Sequence, residues 1–248
     1  MKICVVFYGF LGDSSNLNNL NRIYDLCDKN KHEINFYYSI PDSISEFDEN
    51  KINDELINGL TKDVENFNFE IRDYNTCMYI DECKKLDLPI KTNIHNLYPY
   101  RNLSMLDSIK KSVELITKNY DFMIITRLDN LPFITPNKII SDFNVKDTAY
   151  LFRNEIFGVV EDKFIFGDFN ILKNISNVYE YVKKLKFDDE NFYSEKLIGE
   201  YFVENFKEHL EFIDGINIIN NINHKKYSHE IQLIVESLYN TCNWIKYE

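Results

Sequence analysis

Positive charge is scarce in this chain. Its 28 lysines and arginines stand against 40 aspartates and glutamates, a net charge of −12. That balance excludes nonspecific nucleic-acid binding, which depends on Lys and Arg neutralising phosphates, and docking by bulk charge on an anionic membrane. A local basic pocket for one nucleotide is compatible with it. Cysteine is sparse and odd in number (Cys4, Cys27, Cys77, Cys83 and Cys242), with no CxxC spacing. This excludes a disulfide framework or zinc knuckle and predicts a reducing, cytoplasmic setting. No apolar run approaches the roughly 18 residues of a membrane span. The opening segment, Met1 to Gly12, lacks a basic n-region and an Ala-x-Ala cleavage site, so it reads as a strand and not a leader. The 7 glycines never fall into GxGxxG or GxxxxGK[ST], which excludes the dinucleotide fingerprint and the phosphate loop.

What is present is a chain rich in aromatic residues, 17 Tyr and 19 Phe among 248, with apolar residues enough for a sizeable core. No repeat, low-complexity linker or composition break divides it, so a single domain over 1–248 is expected. Ile3 to Phe10 is continuously apolar, the mark of a strand buried on both faces. Apolar residues at helical spacing follow from Leu17 to Cys27, with Ser14, Ser15 or Asn16 as caps. Ile34 to Ile40 is a second strand. This strand–helix–strand opening predicts an α/β fold with a mixed, mostly parallel central sheet flanked by helices. Between Pro41 and Pro89 the pattern predicts helix and loop with a short strand near Phe69–Arg72. A helix is expected over Leu103–Thr117, strands at Phe122–Ile125 and Ala149–Phe152, and strand and turn over Val159–Asp168. Helices are expected over Phe169–Leu185 and Tyr193–Phe206, and a strand at Ile216–Ile222. Pro132 and Pro136 predict an extended exit from the Phe122 strand.

The strand Phe122–Ile125 ends in Thr126-Arg127-Leu128-Asp129. Open α/β sheets bind ligands at the carboxyl ends of their strands. A cation and a carboxylate two residues apart there match a phosphate and its divalent metal. At the end of the first strand, Tyr8-Gly9-Phe10-Leu11-Gly12 offers a glycine that lets backbone approach a ligand and aromatics that stack on a base. Ser108 and Lys111, one helical turn apart, and Arg101 beside Tyr100 are further candidate nucleotide contacts.

In order and spacing these pieces resemble the GT-A glycosyltransferases, in particular a polysaccharide and viral type. The pieces are Ser108-Ile-Lys-Lys111, Tyr120-Asp121, Arg127-Leu-Asp129 and Asp162-Lys-Phe-Ile-Phe-Gly167, within a resemblance spanning roughly residues 1–215. The resemblance implies a single GT-A-like domain with a nucleotide-binding half (1–130) and an acceptor half (131–248). It implies transfer of a hexosyl or pentosyl group from a nucleotide-diphosphate sugar to a glycan or other hydroxyl acceptor, as in polysaccharide biosynthesis. Tyr8, Gly9, Phe10, Arg101, Ser108, Lys111 and Arg127 would bind the nucleotide-sugar. Asp129 would hold Mn²⁺ or Mg²⁺, with His224 as a distant ligand, His229 as its substitute, and Lys225 or Lys226 near phosphate. From the acidic group Glu161, Asp162 and Asp168, Asp162 would be the base or sugar contact, and Glu195 is a further carboxylate of this kind. Arg127 departs from the family's Asp-x-Asp pattern by replacing its first carboxylate. That leaves two rival readings open, a non-catalytic carbohydrate- or nucleotide-binding module and a nucleotidyltransferase. The latter is expected to carry a basic, Gly-rich loop after the first strand, and Gly9 to Ser15 holds no Lys or Arg.

Overall fold

The computed structural model describes residues 1–11, 14–27, 30–43, 52–88, 98–128, 134–154, 159–185, 192 and 194–214. The chain opens with β1 (Lys2–Tyr8), α1 (Ser14–Leu26) and β2 (Glu33–Pro41), as its hydrophobic pattern predicts. Then come α2 (Asp54–Thr61), β3 (Phe67–Arg72), α3 (Thr76–Lys85), α4 (Pro99–Glu114) and β4 (Phe122–Arg127). The remainder is α5 (Pro136–Asp142), β5 (Ala149–Asn154), β6 (Val159–Asp168), α6 (Phe169–Leu172), a 3₁₀ turn (Lys173–Asn177), α7 (Val178–Val182), α8 (Ser194–Phe206) and β7 (Leu210–Asp214). Among the described residues no helix is long and apolar enough to cross a membrane.

The described strands form one seven-stranded sheet in the order β3-β2-β1-β4-β6-β5-β7. β1 pairs in parallel with both β2 and β4, and β3 continues the parallel set. Among the described strands only β6 runs the other way, antiparallel to both β4 and β5, while β7 lies parallel to β5. The order turns back at β1: the chain builds outward through β2 and β3, then returns through α4 to place β4 on the other side. Such a switch point opens a crevice beyond the carboxyl ends of the two strands.

Alternating side chains send the two faces of the sheet into separate cores. One gathers Ile3, Val5, Phe7, Phe36, Phe122, Ile124, Phe164 and Phe166 with residues of α1, α2 and α5. The other gathers Cys4, Val6, Tyr8, Met123, Ile125 and Ile165 against α3, α4, α7 and α8. Phe166 lies among the rings of Phe122, Phe143, Tyr150, Phe152 and Phe164, with centroids 5.0–6.3 Å away. At the end of β6, Gly167 adopts φ +149, and a Cβ there would fall on the Thr148 carbonyl. The glycine of the Asp-x-Phe-x-x-Gly segment is therefore a packing requirement.

Several elements differ from the sequence expectation. Pro136 opens α5 instead of extending the chain: proline is pre-set for the first helical position, and the Thr135 hydroxyl caps it by accepting from Lys138 N. Pro99 starts α4 four residues before Leu103 for the same reason, and α4 stops at Glu114. The run from Phe169 is broken by the 3₁₀ turn, where Asn174 and Ser176 side chains bond nearby carbonyls (Asn170 O at 2.8 Å, Lys173 O at 3.0 Å) and compete with the helical ladder. The β7 strand was not anticipated, and the strand expected at Ile216–Ile222 lies outside the described residues.

Candidate functional site at the strand ends

The mouth of the crevice is set by β1 and β4. Their final residues, Tyr8 and Arg127, are register partners, and alternation sends both toward the α4 face. Gly9 then turns the chain with φ +91, a conformation that favours glycine. Among the described residues a Cβ added at Gly9 would meet nothing within 4 Å, which leaves space above it. The Gly9 backbone is held on both sides: its N–H donates to Ser108 Oγ (2.9 Å), and its carbonyl accepts from the Tyr38 hydroxyl (3.0 Å).

Ser108 belongs to a polar stripe that α4 buries against the sheet, comprising Ser104, Asp107, Ser108 and Ser112. Ser112 Oγ accepts from Ser39 N at 2.9 Å, which pins α4 to β2 as Ser108 pins it to the β1 turn. Asp107 accepts from the Tyr79 hydroxyl (2.7 Å) and pairs with Arg72 Nη1 (3.6 Å), each charged side chain 11% exposed. Arg72 Nη1 also donates to the Tyr79 hydroxyl at 2.9 Å. Burial pushes the Tyr79 hydroxyl well above the ordinary tyrosine range, against the pull of the Arg72 charge, so it remains a donor to Asp107. Arg72 ends β3 as Arg127 ends β4. Its Nε and Nη2, and the Tyr74 hydroxyl, are buried without a hydrogen-bond partner among the described residues. Leaving such a group unmet costs about 1–3 kcal/mol. Phe10 and Tyr74, both half-buried, meet edge to face at 4.6 Å.

The amino ends of two helices close the α4 side of the mouth. Pro99 is the first helical residue of α4, and Arg101 lies in its first turn, exposed and over the Tyr98 ring at 4.3 Å. Asn102 donates to Phe192 O (2.8 Å) and accepts from Ser194 Oγ (3.5 Å), tying α4 to the start of α8. Ser194 also reaches Glu195 at 2.9 Å. On the other side Thr126 donates to Lys163 O (3.1 Å), and Asn19 donates to Leu128 O (3.0 Å), fixing the exit of β4.

The structure thus brings Tyr8, Gly9, Phe10, Ser108 and Arg127 together and sets Arg101 above them. Two residues are placed with less to offer the mouth. Lys111 lies about one turn farther from it than Ser108 and pairs with Glu114 at 3.2 Å. Tyr8 is 1% exposed, so Phe10 is the ring of this pair with surface to offer a base. The acidic group also divides. The reversed direction of β6 puts its first residues at the mouth and Asp168 at the opposite end, where Asp168 pairs with Phe122 and caps α6 by accepting from Asn170 N. Asp162 is a backbone member of the mouth end of β6; its side chain, like Asp129, Glu161, His224, Lys225, Lys226 and His229, lies outside what is described. Among the described residues no group of three or more His, Cys, Asp or Glu gathers to hold a metal ion. The Arg72–Tyr79–Asp107 group was missed from the sequence. Its signal was a short strand ending in arginine, the same pattern that singled out Arg127.

No protein-family model matches the chain, and no curated protein matches it in sequence. Solved structures do. The galactosyltransferase LgtC in complex with donor and acceptor sugar analogs superposes with a TM-score of 0.54 at 10% identity, over 94% of this chain and 82% of that one. An active-site mutant of LgtC gives 0.53 at 12% identity, over 94% and 81%. At such identities the likeness establishes architecture alone, and the architecture is the GT-A fold of glycosyltransferases.

Proposed function

We propose that the chain transfers a sugar from a nucleotide-diphosphate donor to a hydroxyl of a glycan or related acceptor, in polysaccharide assembly. One observation carries this reading. Arg127 and Tyr8 end paired strands at the switch point, beside the open space over Gly9, in a fold shared with a galactosyltransferase bound to donor and acceptor analogs. Arg127 faces the leaving diphosphate and stabilises its growing charge, the term that dominates when a good anion departs. Gly9 and Ser108 shape the nucleotide end, and Arg101 stands over the mouth as a second cation. Asp162, on the strand that re-enters the mouth, takes the proton of the acceptor hydroxyl.

The described residues at the mouth supply cations and hydroxyls but no carboxylate cluster, and Asp107 is already committed to Arg72. A divalent cation in this proposal therefore depends on Asp129, with His224 as second ligand. When bound, Mn²⁺ or Mg²⁺ would neutralise diphosphate charge alongside Arg127.

The test is a thermal-shift and hydrolysis screen of UDP-, GDP-, TDP- and CMP-sugars with and without Mn²⁺, repeated on Asp129→Ala. The expected result is a Mn²⁺-linked rise in melting temperature that the variant loses. Absence of both turnover and shift with every donor would sink the enzyme reading. A shift unchanged in Asp129→Ala would remove that residue from the site.

A further inference from the structure

Arg72 and Arg127 leave the same face of the sheet at the same end, three strand spacings apart, about 14 Å. An extended nucleoside diphosphate is of that order in length. Among the described residues the Arg72 guanidinium is used on one side: Nη1 faces the Tyr79 hydroxyl and Asp107. The other side, where the Nε–H and one Nη2–H point in parallel, is the two-pronged edge that matches paired acceptors. Both atoms are buried and unpartnered among the described residues, as is the nearby Tyr74 hydroxyl. Asp107 already balances the charge, so this edge calls for two neutral acceptors and not for another anion.

Resting on the nucleotide-sugar reading above, we infer that Arg72 selects the base of the donor and that the base is guanine. Guanine presents N7 and O6 as adjacent acceptors, the pair an arginine edge grips in two-pronged fashion. Uracil and thymine place an N–H between their two carbonyls, and adenine sets an amino donor beside N7. Cytosine has an adjacent acceptor pair on a single ring. Of the bases with such a pair, guanine is the larger, and stacked at Phe10 it extends farther toward an edge buried at the end of β3. The half-buried Tyr74 ring, edge to face with Phe10, is the side chain that yields to admit it. The diphosphate then runs across β2 and β1 toward Arg127.

Calorimetric titration of the full chain with GDP, UDP, CDP and inorganic pyrophosphate, each with Mn²⁺, tests this on the wild type and on Arg72→Lys. The variant keeps a cation beside Asp107 and removes the two-pronged edge. GDP is expected to bind about tenfold or more tightly than UDP or CDP. Arg72→Lys is expected to abolish that preference and leave pyrophosphate binding unchanged. UDP or CDP binding as tightly as GDP overturns the inference, as does a GDP preference that survives in Arg72→Lys. The wild-type comparison stands even if the variant fails to fold. Pyrophosphate binding without base preference defeats the Arg72 inference alone. Failure of every nucleotide and of pyrophosphate to bind defeats the nucleotide-sugar reading with it.

Discussion

The two faces of the sheet are held by different chemistry. Toward α1, α2 and α5 the core is apolar, with the Phe166 ring cluster at its densest part. Toward α4 an apolar core is interrupted by a line of buried polar groups, Arg72, Tyr79, Asp107, Ser108 and Ser112, each bonded to another element. Dispersion and burial have no direction, and they hold a face together without fixing it to a fraction of an ångström. Hydrogen bonds contribute about 1 kcal/mol net each but dictate position. The difference teaches that the α4 face trades stability for placement, and that is the face from which the mouth is built.

Mutation can break or sharpen this contrast. The largest effect is expected from Phe166→Ala, a stability loss of about 3–5 kcal/mol by chemical denaturation, with nucleotide affinity of the folded fraction retained; equal losses of both would erase the distinction between faces. Next, Arg127→Ala is expected to lower transfer or donor hydrolysis by about 10²–10³-fold, the usual cost of removing one preorganised group that meets developing charge. A loss under tenfold would move the diphosphate away from β4. Ser108→Ala removes the acceptor for Gly9 N–H and is expected to cost about 1 kcal/mol of stability with a larger proportional effect on nucleotide Kd. A stability change with untouched affinity would make that contact purely structural. The smallest change belongs to Lys111→Ala, at most about 0.5 kcal/mol and no change in binding, because its pair with Glu114 is 43% and 47% exposed. Any marked loss of nucleotide affinity there would restore Lys111 to the site.

Much of the framework was legible because β1 and β4 hold continuous apolar runs, β2 is apolar from Ile34 to Ile40 but for Asn35 and Ser39, and α4 carries a clear helical stripe. The candidate mouth at Tyr8–Gly9 and Arg127 was legible because a glycine and a charge follow two apolar runs that an α/β order sets side by side at a switch point. What escaped reading depended on tertiary partners. Pro136 is a helix start or a helix breaker according to whether Thr135 caps it, and a proline alone does not say which. Asp162 and Asp168 look like one acidic group until β6 is known to run through both; six residues of extended strand, about 20 Å, part them, and the antiparallel direction leaves Asp162 at the mouth end. Arg72 stood in a weak, charge-interrupted stretch, and its partners Tyr79 and Asp107 lie on two different helices. Only packing brings the three together.

The clamp on Gly9 has a thermodynamic consequence. A residue gripped at its N–H by a helix and at its carbonyl by a neighbouring strand residue has little freedom left to lose. Binding against such a rigid surface avoids the ordering entropy that a loose loop would have to surrender. The cost of immobilising that turn is met when the chain folds, so each ligand that arrives finds it already in place.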